Sequence, residues 1–535
     1  MLLAPRAGLA AMAASVALTF AVAVMGPSVM EPVLPGRAGQ PPWAFAGSPS
    51  PYLAVGLTAA ALAAGALGLV LTLRAVRGGW SVPARAVLLA GLVAAVALTL
   101  VPPFGSSDQL SYAAYGRMLV TGHNPYTTTP AQLAALGDPV ARAVQDWFTT
   151  SSVYGPLATG VQGLAALIGG TSARLTVFVL GLANLAAFGG TALLLHRMTR
   201  RDPARQLRAA LLWAANPLLL QLLIAGAHVD GQAVVFAVAA VAVMFGPWAG
   251  ERAPVPSLIR AALAGALVGL GFAVKVSDLL VGLGLAAALV IRPRSAGRRF
   301  ELRLAALAAG FAVTAGAALA IGGPAMWHQL SQESDLVSIG SPWRVIRSGV
   351  HLVVAGAAPT DMIRAGAVFL AVMLAVLLVR GLPGAAERGA AVADPGGGMA
   401  ERGATLAFAV VLAWLFAWPY VLPWYDALAW ALLALLAWPP VAAGVTAGGA
   451  AEGAGWLLLA QTTALGFGYL PARQTDATLP RGLSWLQPVV RHGVTPAVLV
   501  AATVLLAVLM VRSRRSGRVV PKEIIGSRLT VTKAP

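Results

Sequence analysis

The stretch Phe104-Gly-Ser-Ser-Asp-Gln-Leu-Ser-Tyr-Ala-Ala-Tyr-Gly-Arg-Met-Leu-Val-Thr-Gly-His-Asn-Pro-Tyr126 interrupts a long series of apolar segments, and the other segments can be arranged around it. Its one carboxylate is Asp108. Ser106 and Gln109 have the S-x-x-Q spacing of a capping box, which predicts a short helix from Ser107. On that helix Asp108, Tyr112, Tyr115 and Leu119 recur at i, i+4, i+7 and i+11, so an acid and two phenols share one stripe. A negative charge in a first helical turn also complements the helix dipole, which is the structural reason an Asp can stand there without chemistry. Gly122 to Pro125 then turns the chain.

Outward from this stretch the composition sets the class. Of the 535 residues 58% are apolar and 10% charged, with mean hydropathy +0.79, which no ordinary soluble domain shows. The chain reads as an all-α, polytopic membrane protein. The formal charge of +18 would point to nucleic acid in a soluble chain. Here the basic residues cluster between apolar runs, as the positive-inside bias requires, so nucleic acid is discounted. Three of the 37 basic residues are lysines, Lys275, Lys522 and Lys533, and the rest are arginines. No cysteine is present, hence no disulfide framework or thiolate metal site.

A crossing needs about 20 apolar residues. The first is 7–25, followed by 52–73 toward Arg74, Arg77 and Arg85, and by 86–101, which leaves the polar stretch outside. Residues 157–168 are too short to span, and a second crossing here would put the basic run 196–208 outside. They read as an interfacial or re-entrant segment before the crossing 175–195. The series continues with 209–225, 233–248, 261–274, 279–291, 304–321, 363–379, 406–421, 427–441, 456–467 and 494–511. About 14 crossings (12–15) result, with both termini inside. Residues 1–511 form one transmembrane unit. It has a helical outer loop at 103–155, a second outer loop at 322–360 and a flexible Gly-rich cytoplasmic loop at 380–402, and a basic cytoplasmic tail follows at 512–535. No internal repeat pairs the halves.

With this orientation the polar and aromatic variety gathers outside. His228 and Asp230 lie at headgroup depth, where an ionisable pair is a functional hypothesis by default, although a helical corner needs only small residues. They offer too few ligands for a metal site. Lys275 ends an apolar run, either snorkelling to the interface or meeting a lipid phosphate. Arg344 and Arg347, three apart, can share a phosphate on one helical face. Trp424, Tyr425 and Asp426 fit an interfacial aromatic belt or a sugar platform, and a belt needs no acid.

Ser107-Asp-Gln-Leu-Ser-Tyr-Ala-Ala-Tyr-Gly-Arg117 with Gly122-His-Asn-Pro-Tyr-Thr127, Val153-Tyr-Gly-Pro156, Gly226-Ala-His-Val-Asp230 and Pro423-Trp-Tyr425 carry a resemblance. On these motifs the chain, roughly over residues 50–510, resembles the glycosyltransferases of the C superfamily that use lipid-linked sugars. Within it the chain looks like the actinobacterial polyprenol-phosphate-mannose-dependent alpha-(1→6)-mannosyltransferases of lipomannan-type glycans. The resemblance implies that Asp108 is the catalytic base and that the donor is beta-linked polyprenyl-phosphate mannose. It also implies a mannan or glycolipid acceptor, inversion to an alpha-mannoside, and no metal or other cofactor. Where the family often has His-Asn-Asp followed by Ala, this chain has His228-Val-Asp-Gly231, without the Asn amide.

Inversion needs one base opposite the leaving phosphate, and a cation can stabilise the charge that develops there. Arg117, Lys275, Arg344 and Arg347 are the cations available. Tyr112, Tyr115, Asn124, Tyr126, His228, Asp230, Trp424, Tyr425 and Asp426 complete the substrate-binding set. A sister enzyme using polyprenyl-phosphate arabinofuranose and a lipid or solute transporter are the alternatives. Transport would place ionisable groups near the bilayer midplane, whereas here they lie at helix ends.

Overall fold

The computed structural model describes residues 3–246, 256–291, 299–333, 335–353, 356, 358–382, 395–436, 449–471 and 479–516. Among these the chain is helical without a strand, and Ser28 and Glu31 form one isolated bridge. It opens with α1 (Leu3–Met25), α2 (Pro51–Arg77) and α3 (Ala84–Thr99), and the polar stretch carries α4 (Asp108–Val120) and α5 (Pro130–Ala135). Next come α6 (Pro156–Gly169), α7 (Ala173–Met198), α8 (Pro203–Leu212) and α9 (Pro217–Leu219), which runs into a π-helical turn, Leu220–Ala225. Then follow α10 (Asp230–Phe245), α11 (Ser257–Phe272), α12 (Leu279–Val290), α13 (Arg299–Glu333), α14 (Pro342–His351) and α15 (Ala358–Gly381). The last are α16 (Pro395–Ala417), α17 (Ala427–Ala434), α18 (Gly449–Gly468), a second π-helical segment, Leu486–Val494, and α19 (Thr495–Ser516).

Seven helical stretches among the described residues are long and apolar enough to cross a membrane: Ala4–Met25, Pro51–Arg77, Ala173–Met198, Pro203–Ala225, Phe300–Gln332, Ala358–Gly381 and Arg481–Arg514. Five shorter apolar helices lie between them. Helix is the only open-ended element that satisfies its own backbone in lipid, so the protein is a helical membrane protein. α6, with 14 residues, is about 21 Å long and falls short of the roughly 30 Å hydrocarbon core.

Helices without a hydrophobic drive between them meet through small residues. A Cβ on Gly310 of α13 would come within 1.9 Å of the Ala262 carbonyl oxygen, and one on Gly265 of α11 within 1.9 Å of that of Leu307. α1 meets α2 in the same way, with Ser15 Oγ donating to the Ala61 carbonyl at 2.7 Å. α4 lies on α6 because Gly116 leaves room for the Gln162 carbonyl, which a Cβ would approach to 2.1 Å. The start of α4 is fixed by backbone bonds from Phe104 to the Ala225 carbonyl and from Gly105 to the Met30 carbonyl, both 2.8 Å. That docks the polar stretch on the π-helical turn leading to His228.

Several expectations are revised. α4 starts at Asp108, and its N-cap Ser107 makes no side-chain capping bond. Ser106 Oγ instead accepts from the Asp108 amide at 3.3 Å, and Gln109 Nε2 donates to the Ser106 carbonyl at 3.0 Å, so the reciprocal box does not form. The stretch 322–360, expected as an outer loop, carries helix among its described residues: α13 kinks at Gly323 (φ 67°), continues through Pro324 to Glu333, and is followed by α14. Pro324 is tolerated there because it opens the second half of the helix, where its missing N–H has no intrahelical role. α16 begins at Pro395, inside the stretch read as a flexible loop; the rest of that loop, 383–394, and the tail beyond Ser516 lie outside the described residues.

Candidate active site

Asp108 opens α4 at the wall of a cavity of about 330 Å³, within the range of small-ligand pockets. Asp146, Trp147, Tyr420, Tyr469 and Arg491 share that wall. Trp147 Nε1 donates to Asp108 Oδ1 at 3.2 Å. Asp146 is clamped to the first turn of α4, its carboxylate accepting from Ser107 Oγ and its carbonyl from Ser111 Oγ at 3.2 Å. Burial, and next the charge of Asp146, push the Asp108 carboxyl up to about 7, against the opposing Trp147 bond and Lys275 charge. A carboxylate so placed can take a proton near neutral pH.

Behind Asp108 stands His228. Its Nδ1 lies 2.7 Å from the Leu222 carbonyl, which can only accept, so Nδ1 carries the proton. Nε2 is then an acceptor, and Ser106 Oγ donates to it at 3.0 Å. Burial pushes the imidazole down to about 3, so the 3.7 Å approach of Nε2 to Asp108 Oδ2 is no ion pair. The ring stacks on Trp424, centroids 3.5 Å apart at 14°. Two non-glycine residues with positive φ flank this arrangement, Trp147 (60°) and Ala227 (51°). Such outliers cost on the order of 1–3 kcal/mol and persist where surrounding structure fixes them.

Lys275 Nζ donates to Asp230 Oδ1 at 2.6 Å and lies 3.5 Å from the centre of the Tyr425 ring. The end of α11 that carries it is tied to the start of α6, with the Leu157 amide donating to the Ala273 carbonyl at 2.9 Å. Gly155 is needed there, since a Cβ would come within 2.2 Å of that carbonyl oxygen. A second, smaller cavity of about 50 Å³ adjoins the first at Asp108 and is walled by Tyr112, Tyr115, Tyr154, Trp424 and Tyr425. Tyr154 OH donates to Tyr112 OH at 3.3 Å, and Tyr115 OH to the Thr150 carbonyl at 2.9 Å.

Of the sequence-derived set, the structure thus gathers Asp108, Tyr112, Tyr115, His228, Asp230, Lys275, Trp424 and Tyr425 around one centre. The others stand elsewhere. Arg117 is bound to Asp138 at 2.6 Å. Asn124 caps a turn by accepting from the Tyr126 amide at 2.9 Å, and Tyr126 OH is within 3.1 Å of Thr159 Oγ1. Arg344 and Arg347 belong to α14, where no residue is buried, and neither lines the cavity. Asp426 is fully buried and accepts from Gln461 at 3.0 Å and Thr462 at 2.7 Å, tying its turn to α18. Among the described residues no group of three or more His, Cys, Asp or Glu could hold a metal.

Five of the residues named on the cavity wall are additions: Asp146, Trp147, Tyr420, Tyr469 and Arg491. The first two were visible as outer polar residues. Arg491 carried no signal, because the segment that bears it reads as a plain loop. It is 5% exposed, donates from Nε to the Gly468 carbonyl and from Nη2 to the Pro471 carbonyl, and lines the cavity opened by Asp108.

The chain is similar to known proteins over part of its length. A probable alpha-(1->6)-mannopyranosyltransferase of Mycolicibacterium smegmatis is 33% identical over 135 residues, 25% of this chain and 24% of that one. An alpha-(1->6)-mannopyranosyltransferase of Mycobacterium tuberculosis is 32% identical over 135 residues, 24% of this chain and 22% of that one. The matched region therefore spans about a quarter of the length of these relatives. Among solved structures, the archaeal oligosaccharyltransferase AglB from Archaeoglobus fulgidus, in complex with an inhibitory peptide and a dolichol-phosphate, aligns with TM-score 0.34 and 15% identity. That alignment covers 81% of this chain and 56% of AglB. The profile of the MptA_B family, alpha-(1->6)-mannopyranosyltransferase, N-terminal domain, matches residues 6–292, which hold α1 to α12 and Asp108, His228, Asp230 and Lys275. The chain belongs to this family.

Proposed function

We propose that the protein transfers mannose, with inversion, from polyprenyl-phosphate mannose to a hydroxyl of a mannan-type or glycolipid acceptor, forming an alpha-(1→6) linkage on the extracytoplasmic face. The observation that carries this reading is Asp108, a carboxylate on a cavity wall, oriented by Trp147 and raised to about 7. Asp108 takes the proton of the acceptor hydroxyl as its oxygen bonds to the anomeric carbon. The bond from that carbon to the phosphate oxygen breaks on the opposite face, and polyprenyl phosphate leaves with the electron pair. One carboxylate suffices, because phosphate is a good leaving group that needs no acid.

The leaving phosphate needs a fixed cation, a kind of interaction commonly worth about 3 to 4 kcal/mol. We assign that role to Arg491, which lines the cavity with Asp108 and whose guanidinium is fixed by the Gly468 and Pro471 carbonyls. The extracytoplasmic placement rests on the arginine clusters at the opposite helix ends, such as Arg74 and Arg77.

The test is sugar transfer by membranes carrying the wild type or Asp108→Asn, supplied with polyprenyl-phosphate mannose and a short mannan acceptor. The substitution keeps shape and removes the base, so the rate falls at least about a hundredfold. A folded variant with wild-type activity rules out Asp108 as the base. A wild type that transfers no mannose rules out the donor.

A further inference from the structure

Two residues that the site leaves unused, Arg344 and Arg347, belong to α14, the helix between α13 and α15. Both neighbours contain stretches long and apolar enough to cross a membrane, Phe300–Gln332 and Ala358–Gly381. α14 therefore sits at the membrane surface, and on the Asp108 side, because residues 336–340 just before it line the cavity with Asp108. Its start is pinned to the end of α16: Trp343 Nε1 donates to the Ala417 carbonyl at 2.8 Å, and the Ser338 amide to the Pro419 carbonyl at 3.1 Å. What holds α14 thus holds one wall of the cavity.

At about 100° per residue α14 presents three faces. Trp343 marks the flank against the bundle, where a Cβ on Gly366 of α15 would come within 3.1 Å of its ring. Arg344, Arg347, Ser348 and His351 share a second arc of about 100°. The third arc carries Val345 and Leu352, with Val353 following, and these are 63%, 86% and 83% exposed. No residue of α14 is buried, and the described residues of the chain leave this apolar arc open. Between Asp335 and Asp361 the sequence has no carboxylate to balance the two guanidinium groups.

We propose that α14 is an interfacial helix that docks on anionic phospholipids of the adjoining leaflet, with Val345 and Leu352 entering the acyl layer and Arg344 and Arg347 meeting the headgroups. A helix whose apolar arc lies at the boundary of headgroups and acyl chains keeps its charged arc at headgroup level, and each arginine near an anionic surface favours it about fivefold. The occupant is lipid rather than a glycan or a soluble protein, because α14 is joined to spans on both sides and its open face is aliphatic, without a hydrogen-bonding side chain. Two guanidinium groups with no neighbouring acid in the sequence select anionic over zwitterionic lipid. This surface is separate from the reacting centre, since neither arginine lines the cavity, and it does not depend on which sugar is transferred.

The chain has no cysteine, so a fluorophore on Val345→Cys or Ser348→Cys of the full-length protein reports one position. In phosphatidylcholine nanodiscs the Val345 label is expected to be quenched by lipids carrying a nitroxide high on the acyl chain, and the Ser348 label by aqueous acrylamide. At equal trace mole fraction, nitroxide phosphatidylglycerol quenches the Val345 label more strongly than nitroxide phosphatidylcholine, a local enrichment of about 25-fold for two arginines. Arg344→Gln with Arg347→Gln abolishes the preference, whereas Arg344→Lys with Arg347→Lys keeps it, which separates lost charge from a folding defect. A Val345 label quenched by acrylamide and not by lipid overturns the proposal. So does equal quenching by the two lipids, or a preference that survives the glutamine pair. The readout needs no sugar transfer, so it stands or falls apart from the proposed reaction.

Discussion

At the residue scale the site turns on how Asp108 is kept basic and His228 kept neutral. The Asp108 carboxyl, raised to about 7 by burial first and by Asp146 second, accepts a proton only in its ionised form. The kcat/KM for transfer therefore climbs about tenfold per pH unit below 7 and levels off above it. Asp146→Asn removes a like charge, so the inflection in the pH profile moves down; an unmoved inflection means the titrating group is not Asp108. His228 cannot supply that inflection, since its imidazole is neutral above about 3 and Nδ1 is committed to the Leu222 carbonyl. Sequence reasoning reached Asp108 because a carboxylate on a helical stripe with two tyrosines is conspicuous among apolar runs. It reached His228 and Lys275 because ionisable groups at helix ends are costly without a use. Asp426 satisfied the same argument yet serves packing, because its partners Gln461 and Thr462 lie more than 30 positions away and no local pattern announces them. Arg344 and Arg347 share a helix as their spacing implies, but which way that helix faces is decided by neighbours distant in sequence.

At the level of elements, small residues set the distances between helices, and those distances locate the site. α11 carries Lys275 just past its end and packs on α13 through Gly265 and Gly310, where carbonyl oxygens occupy the space of the missing Cβ. Gly310→Ala forces these helices apart and lowers stability by about 1 to 3 kcal/mol, read as a drop in the melting temperature of the detergent-solubilised protein. Gly316→Ala, six residues on in the same helix with nothing within 4 Å of the added methyl, leaves it unchanged or slightly higher through better helix propensity. Equal behaviour of the two variants means α11 and α13 do not meet as described. Apolar run length identified most long helices, including α1, α2, α7 and α15. It missed the continuation of α13 past its Gly323–Pro324 kink and the helical character of Leu486–Val494, where Pro488, Arg491 and His492 read as loop. A segment of that composition is held in place by what it packs on, here α18 and α19, which local sequence does not encode.

For the whole molecule, the residues that converge on the cavity come from α4, from the turns that follow the Leu220–Ala225 segment and α11, and from Pro423–Asp426 and Leu486–Val494. All of them lie at one end of the helical array in the proposed orientation, with the arginine clusters at the other. The absence of cysteine from the chain makes that orientation directly measurable. In intact cells a membrane-impermeant maleimide is expected to label Asn124→Cys, next to α4, and to leave Arg201→Cys, after α7, unlabelled until the cells are broken. The reverse pattern inverts the protein in its membrane. Charge bias and apolar run length add along the chain, so the side expected for a loop survives small local errors, and the labelling pattern tests that expectation. The shape of the cavity was not legible, since six segments distant in sequence meet to form it.

With the lipid-linked donor proposed, the placement of Asp108 beside the ends of apolar helices also decides what concentration means for this protein. Such a donor never leaves the bilayer, so its collisions with the protein are counted per area of membrane rather than per volume of solution. On that reading its supply follows its mole fraction among the neighbouring lipids, and the spent carrier, which keeps the same tail and phosphate, competes with it until it diffuses away.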